Sequence, residues 1–134
     1  MKLWFKVLLS TVLACALCAL FASPAFAGPA ITITGPSTPA TFMQGSSTTV
    51  SWSMSSAVSS GTFRVWLKNT ISGAWVRITP AAGPVAALPG ATSYSVPWLV
   101  AQPVGSYVLW IYYYAPDGST VLASASSSGI VSVL

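Results

Sequence analysis

The chain has 134 residues, with five Lys or Arg, a single acidic residue and no His, while 54% of it is hydrophobic. Acid–base catalysis, metal ligation and ion-pair networks draw on residue types that this chain hardly has, and its length allows one domain of ordinary size. Both cysteines and two of the cations fall within residues 1–27, so the remainder is poorer still in reactive groups.

Taken in chain order, Lys2 and Lys6 precede an uncharged apolar run from Val7 to Phe21, and Ala25-Phe26-Ala27 stands before Gly28. A positive start, an apolar centre and a small-x-small site are the parts of a secretory signal peptide. The pattern predicts export, with cleavage between Ala27 and Gly28. The apolar run is shorter than the ~20 residues that a bilayer-spanning helix needs, so no stable membrane span is expected after cleavage. Cys15 and Cys18 have C-x-x-C spacing, yet they lie inside the apolar run and leave with it. Residues 28–134 are therefore expected to form one domain without a disulfide, with Arg64, Lys68, Arg77 and Asp117 as its only charged side chains.

Within that domain, segments rich in Val, Ile, Thr, Trp and Tyr alternate with Gly and Pro, which is the pattern of short strands and turns. Residues 31–34 alternate apolar with polar and stop at Gly35-Pro36. In residues 48–53, Val50 and Trp52 share a face. Residues 63–68 have the clearest period of two, with Phe63, Val65 and Leu67 on one side and Arg64, Trp66 and Lys68 on the other. Residues 75–78 follow a turn at Ser72-Gly73, and residues 94–96 read as a short strand ended by Pro97. The longest candidate, residues 106–114, runs into Ala115-Pro116-Asp117-Gly118, where Pro sets one turn dihedral and Gly permits another. A last strand region spans residues 121–134, with an interruption at 126–129. No helical period is sustained anywhere in 28–134. About seven strands predict an all-β fold, a single Ig-like or fibronectin-like β-sandwich.

The order of landmarks is also informative: Ile31-Thr32-Ile33 with Pro36, Gly45 before Val50-Ser51-Trp52, Phe63-Arg64-Val65-Trp66-Leu67, Trp75, Tyr94-Ser95-Val96-Pro97, Gly105-Ser106-Tyr107-Val108-Leu109, and Ser124 before the final strand. This order resembles the Ig-like domain of Ser/Thr-rich GPI-anchored membrane proteins, which is similar to the N-terminal domain of yeast cell-wall β-1,6-glucan synthesis proteins. The resemblance implies an extracellular β-sandwich at or near a cell envelope, with no reaction attached. A Ser/Thr-rich stalk is missing, and residues 129–134 are shorter than the ~10 to 20 residue tail of a GPI signal. Simple secretion is the expectation.

The chemistry can be read by subtraction. Without His or Cys in 28–134 there is no nucleophile–imidazole pair and no ordinary zinc site, and a glycosidase needs two carboxyl groups where only Asp117 is present. Asp117, ahead of Gly118, reads as a turn residue that bonds its own backbone. No enzyme activity, metal or cofactor is expected, and three scattered cations do not make a nucleic-acid stripe.

The aromatic residues remain. Placing Tyr107, Leu109 and Ile111 inward turns Trp110 and Tyr112 outward, beside Trp66 on the neighbouring strand. Trp66, Trp110 and Tyr112, with Trp75 and Tyr114, then form a face fringed by Arg64, Lys68 and Arg77, whereas Trp52 and Trp98 read as structural, Trp98 closing a loop after Pro97. Such a face has three readings: rings that merely cover the sheet, a protein–protein or self-assembly surface, or a binding site for cell-wall polysaccharide. The expected partners are thus a cell-wall polysaccharide, a cell-surface protein or a second copy of the chain.

Overall fold

The computed structural model describes residues 28–79 and 83–134. The expected signal peptide, its expected boundary at Ala27 and the Cys15/Cys18 pair lie outside the described residues. Strands β1 (Ile31–Gly35), β3 (Ser47–Met54) and β7 (Ser93–Leu99) form a three-stranded antiparallel sheet in the order β1-β3-β7. The larger sheet has the order β2-β10-β8-β4-β5, built from β2 (Ala40–Phe42), β10 (Val131–Val133), β8 (Gly105–Tyr114), β4 (Thr62–Asn69) and β5 (Trp75–Arg77). Two further segments extend it, β6 (Val85–Ala86) along β4 and β9 (Val121–Ser126) along β8. The chain is an Ig-like β-sandwich.

All seven expected strands are present, and β2, β6 and the division of the last region into β9 and β10 are additional. The division has a local cause. Ser127 Oγ accepts from Leu109 N at 3.1 Å and donates to Gly129 O at 2.8 Å, so a side chain takes over the ladder where the two segments meet. Gly129 lies against Thr38 and Pro39, where an added Cβ would fall 2.9 Å from Pro39 N. That close approach lets β2 run parallel beside β10.

Two expectations about β7 are corrected. The strand does not end at Pro97 but continues through it to Leu99, pairing Thr49 with Pro97 and Thr48 with Trp98. Because β7 is the outer strand of its sheet, the N–H that proline lacks has no ladder partner to lose on the open side. Trp98 accordingly sits in a strand rather than closing a loop. Its side chain is buried, and its indole N–H donates to Gln102 Oε1 at 2.8 Å.

Period-two alternation fixes both faces of the central pair β4 and β8. Phe63 faces Tyr113, Val65 faces Ile111 and Leu67 faces Leu109, all buried between the sheets. Opposite them on the smaller sheet lie Val50, Trp52, Tyr94, Val96 and Trp98. Each fully buried aliphatic or Phe side chain contributes about 1.5–3 kcal/mol relative to exposure. Rings take the place that a disulfide holds in antibody domains. Phe63 lies 4.5 Å from Tyr94, 5.0 Å from Tyr113 and 5.4 Å from Trp52 between ring centroids, tying the two sheets together at one end of the sandwich. At the other end Phe42 meets Trp98 edge-on at 5.4 Å.

Candidate functional site

The same alternation that buries Phe63, Val65 and Leu67 turns Arg64, Trp66 and Lys68 outward, and on β8 it turns out Trp110, Tyr112 and Tyr114. Register then sets the rows of this outer face: Trp66 stands opposite Trp110, Arg64 opposite Tyr112 and Thr62 opposite Tyr114. The edge strand β5 adds Trp75 beside Lys68 and Arg77 beside Trp66. All seven side chains named from the sequence as candidates, and Arg77 with them, are therefore on one face of the larger sheet.

The rings form a continuous cluster. Trp110 and Tyr112 stack at 5.9 Å with 16° between planes, Tyr112 lies 6.2 Å from Tyr114, and Trp75 reaches across the sheet to within 5.9 Å of Trp110 and 6.1 Å of Tyr112. Trp66, Trp75, Tyr112 and Tyr114 line a groove of about 220 Å³. Trp75 is the outermost ring, 42% exposed, while Trp66, Trp110, Tyr112 and Tyr114 are half-buried by one another. This packing leaves Trp110 Nε1, Arg64 Nε and Thr62 Oγ1 buried without a hydrogen-bond partner. Burial raises the Tyr112 phenol above its usual 10.0, with a smaller contribution from neighbouring Tyr114.

Each cation covers a ring. The Arg64 guanidinium is 4.3 Å from the Tyr114 centroid, Lys68 Nζ 5.3 Å from that of Trp75 and the Arg77 guanidinium 6.0 Å from that of Trp66. Arg64 is anchored by donating from Nη2 to Gly118 O at 2.9 Å, and Arg77 by donating from Nε to Thr79 Oγ1 at 2.6 Å. Asp117 is committed to its turn, as its sequence context predicts. Its carboxylate accepts from the backbone N–H groups of Ser119 and Thr120, both at 2.9 Å, and from the Thr120 hydroxyl. These bonds lower its pKa to about 2. Among the described residues no group of His, Cys, Asp or Glu is assembled that could hold a metal ion.

Two larger clefts lie elsewhere, and neither brings comparable chemistry together. One, of about 450 Å³, runs between residues 31–38 and 125–128 and is lined by small polar and aliphatic side chains. The other, of about 540 Å³, lies between β5 and β7 and holds Arg77 with Trp98, whose indole N–H is already bonded to Gln102.

No family model matches the chain, and no curated protein matches it. Among solved structures, a Niemann-Pick type C2 protein from Japanese carpenter ant is similar to it, with a TM-score of 0.51 and 13% identity over 85% of this chain and 98% of that one. A non-cellulosomal cohesin from the hyperthermophilic archaeon Archaeoglobus fulgidus superposes less well, with a TM-score of 0.31 and 17% identity over 81% of this chain and 92% of that one. The likeness to the ant protein is one of fold alone. The reach of Trp75 over β4 to the rings of β8, and the buried unpartnered N–H of Trp110, were missed from sequence; period two places a ring on a face but says nothing of its lean.

Proposed function

We propose that the protein is a secreted, non-enzymatic binding module that takes a carbohydrate chain on the aromatic face of its larger sheet, at or near a cell envelope. The groove lined by Trp66, Trp75, Tyr112 and Tyr114 carries this reading. Flat rings offer apolar faces to sugar C–H groups, and the phenol hydroxyls and cationic side chains at the margin supply polar contacts. Contiguous aromatic surface of this kind marks interaction sites on monomeric proteins. Export is supported by the signal-like residues 1–27, and the wall setting by the resemblance to cell-wall glucan proteins.

Tryptophan emission during titration with wall oligosaccharides tests the reading, because three of the cluster's rings are indoles. Saturable quenching or a blue shift is expected, and Trp75→Ala is expected to weaken binding at least about tenfold, the scale of an interfacial Trp anchor. Undiminished binding by a folded Trp75→Ala variant would remove the groove as the site. A second reading, self-association, is favoured by one end of the sandwich. Met43, Ile71, Leu99, Val104 and Leu134 are all exposed there, at the ends of β2, β4, β7, β8 and β10. Concentration-dependent sedimentation, abolished by Ile71→Lys and Val104→Lys together, would select that reading over glycan binding if no sugar perturbs the emission.

A further inference from the structure

The charged side chains of residues 28–134 are distributed with a bias that glycan binding in general does not require. All three cations, Arg64, Lys68 and Arg77, lie on the outer face of the larger sheet, each over one ring of the aromatic cluster. Resting on the reading of that face as a carbohydrate site, we propose that its ligand is an acidic polysaccharide whose carboxylates are received by Arg64, Lys68 and Arg77 while its rings lie on Trp66, Trp75, Tyr112 and Tyr114.

Three like charges on one sheet face repel one another, so the arrangement costs stability unless something anionic meets it. The protein does not supply the counter-charge. Its one acidic side chain is Asp117, and that carboxylate is saturated by Ser119 and Thr120. Arg64 reaches the very next residue yet bonds the neutral carbonyl of Gly118. Arg77 likewise takes a neutral oxygen, the hydroxyl of Thr79. Both guanidinium groups are thus held in place by one neutral bond while their charge stays uncompensated. A planar fork fixed in this way fits a carboxylate through two parallel bonds, which a neutral hydroxyl cannot match. The face offers no carboxylate acceptor of the sort that would favour the hydroxyl protons of a neutral sugar, since Asp117 is the one acidic side chain of the chain. Spacing supports a chain rather than a single acid. Arg64 and Lys68 are four residues apart on one strand, about 13 Å at a rise of ~3.3 Å per residue, with Arg77 on the adjacent strand between their rows.

The test uses oligogalacturonate and the same oligosaccharide fully methyl-esterified, each titrated against the protein at low and at physiological salt. The free acid is expected to bind about tenfold or more tighter than the ester, as loss of one charge-assisted contact implies, with the gap narrowing as salt screens it. Lys68→Gln and Arg77→Gln, checked for folding by near-ultraviolet circular dichroism, are expected to weaken the acid severalfold more than they weaken the ester. Equal binding of acid and ester overturns the acidic-ligand proposal while leaving carbohydrate binding intact. Binding of neither overturns both. Equal losses for acid and ester in the Gln variants would assign the cations to ring packing and also overturn it. An oligo-dT strand that binds tighter than oligogalacturonate would replace the glycan by a phosphate chain stacked on the same rings, and the proposal would fall.

Discussion

At the scale of single residues, Tyr107 shows how a sandwich without cysteines holds its corner. Its ring is buried at the start of β8, and its hydroxyl donates to Pro103 O at 2.7 Å, closing the connection from β7. This is the geometry of the tyrosine corner of Ig-type domains, in which the tyrosine stands two residues before the second disulfide cysteine. Here that later position is Leu109, fully buried against Leu67. Tyr107→Phe keeps the ring and removes the bond, leaving the Pro103 carbonyl without that donor, so a loss of about 1–3 kcal/mol is expected. Urea unfolding measures it as a lower midpoint at unchanged slope. An unchanged midpoint would mean that the corner is held by ring packing alone. Gly61 is a second residue with one permissible identity. Its φ is +100°, in the left-handed region, and a Cβ there would collide with the Tyr114 carbonyl oxygen and the Tyr113 ring.

At the scale of the element, β4 carries stability on one face and the candidate site on the other. Phe63→Ala empties the position where Trp52, Tyr94 and Tyr113 converge and is expected to cost about 3–5 kcal/mol. Trp66→Ala, three residues further along, removes an outward ring and is expected to cost about 1 kcal/mol or less, the scale of a cross-strand pair. Chemical denaturation of the two variants side by side checks the contrast, and a Trp66→Ala loss as large as that of Phe63→Ala would mean that the outer face is a second core. Strands β4 and β8 were legible in the sequence because both alternate without a break. Their inward sets also pair, Phe63 with Tyr113 and Leu67 with Leu109, so the choice of register was correct. Strand β7 was cut short because Pro97 reads as a terminator until the strand is known to be an edge. The three residues of β2 and two of β6 are too short to carry a period, and their pairing with β10 and β4 is set by the rest of the fold. The candidate face was legible as a set of residues, whereas its groove was not, because Trp75 must first be brought alongside Lys68 by β5.

At the scale of the whole molecule, scarcity of ionisable groups determines the response to pH. The chain has no histidine, and pH changes stability only through groups whose proton affinity differs between folded and unfolded states. At the acid end that group is Asp117, lowered from 3.8 to about 2 by its bonds to Thr120 and Ser119. Its contribution is complete above the unfolded value and is lost as pH falls through about 2. At the alkaline end the groups are Tyr112 and Tyr113, both raised above 10.0, chiefly by burial and secondarily by Tyr114 and Tyr94 respectively. Their neutral forms are favoured by the fold, so their contribution is complete below about 10 and is lost as pH rises through the raised folded values. Between these limits no side chain of residues 28–134 with a shifted affinity titrates, and a flat plateau in thermal midpoint from about pH 5 to pH 9 is expected. Beyond about pH 10 the midpoint should fall, and Tyr112→Phe should lessen the fall without touching the plateau. A midpoint that moves across the neutral range would show that a group outside Asp117, Tyr112 and Tyr113 is coupled to folding. A fall that Tyr112→Phe does not alter would place the alkaline sensitivity in the core, at Tyr113, rather than on the aromatic face.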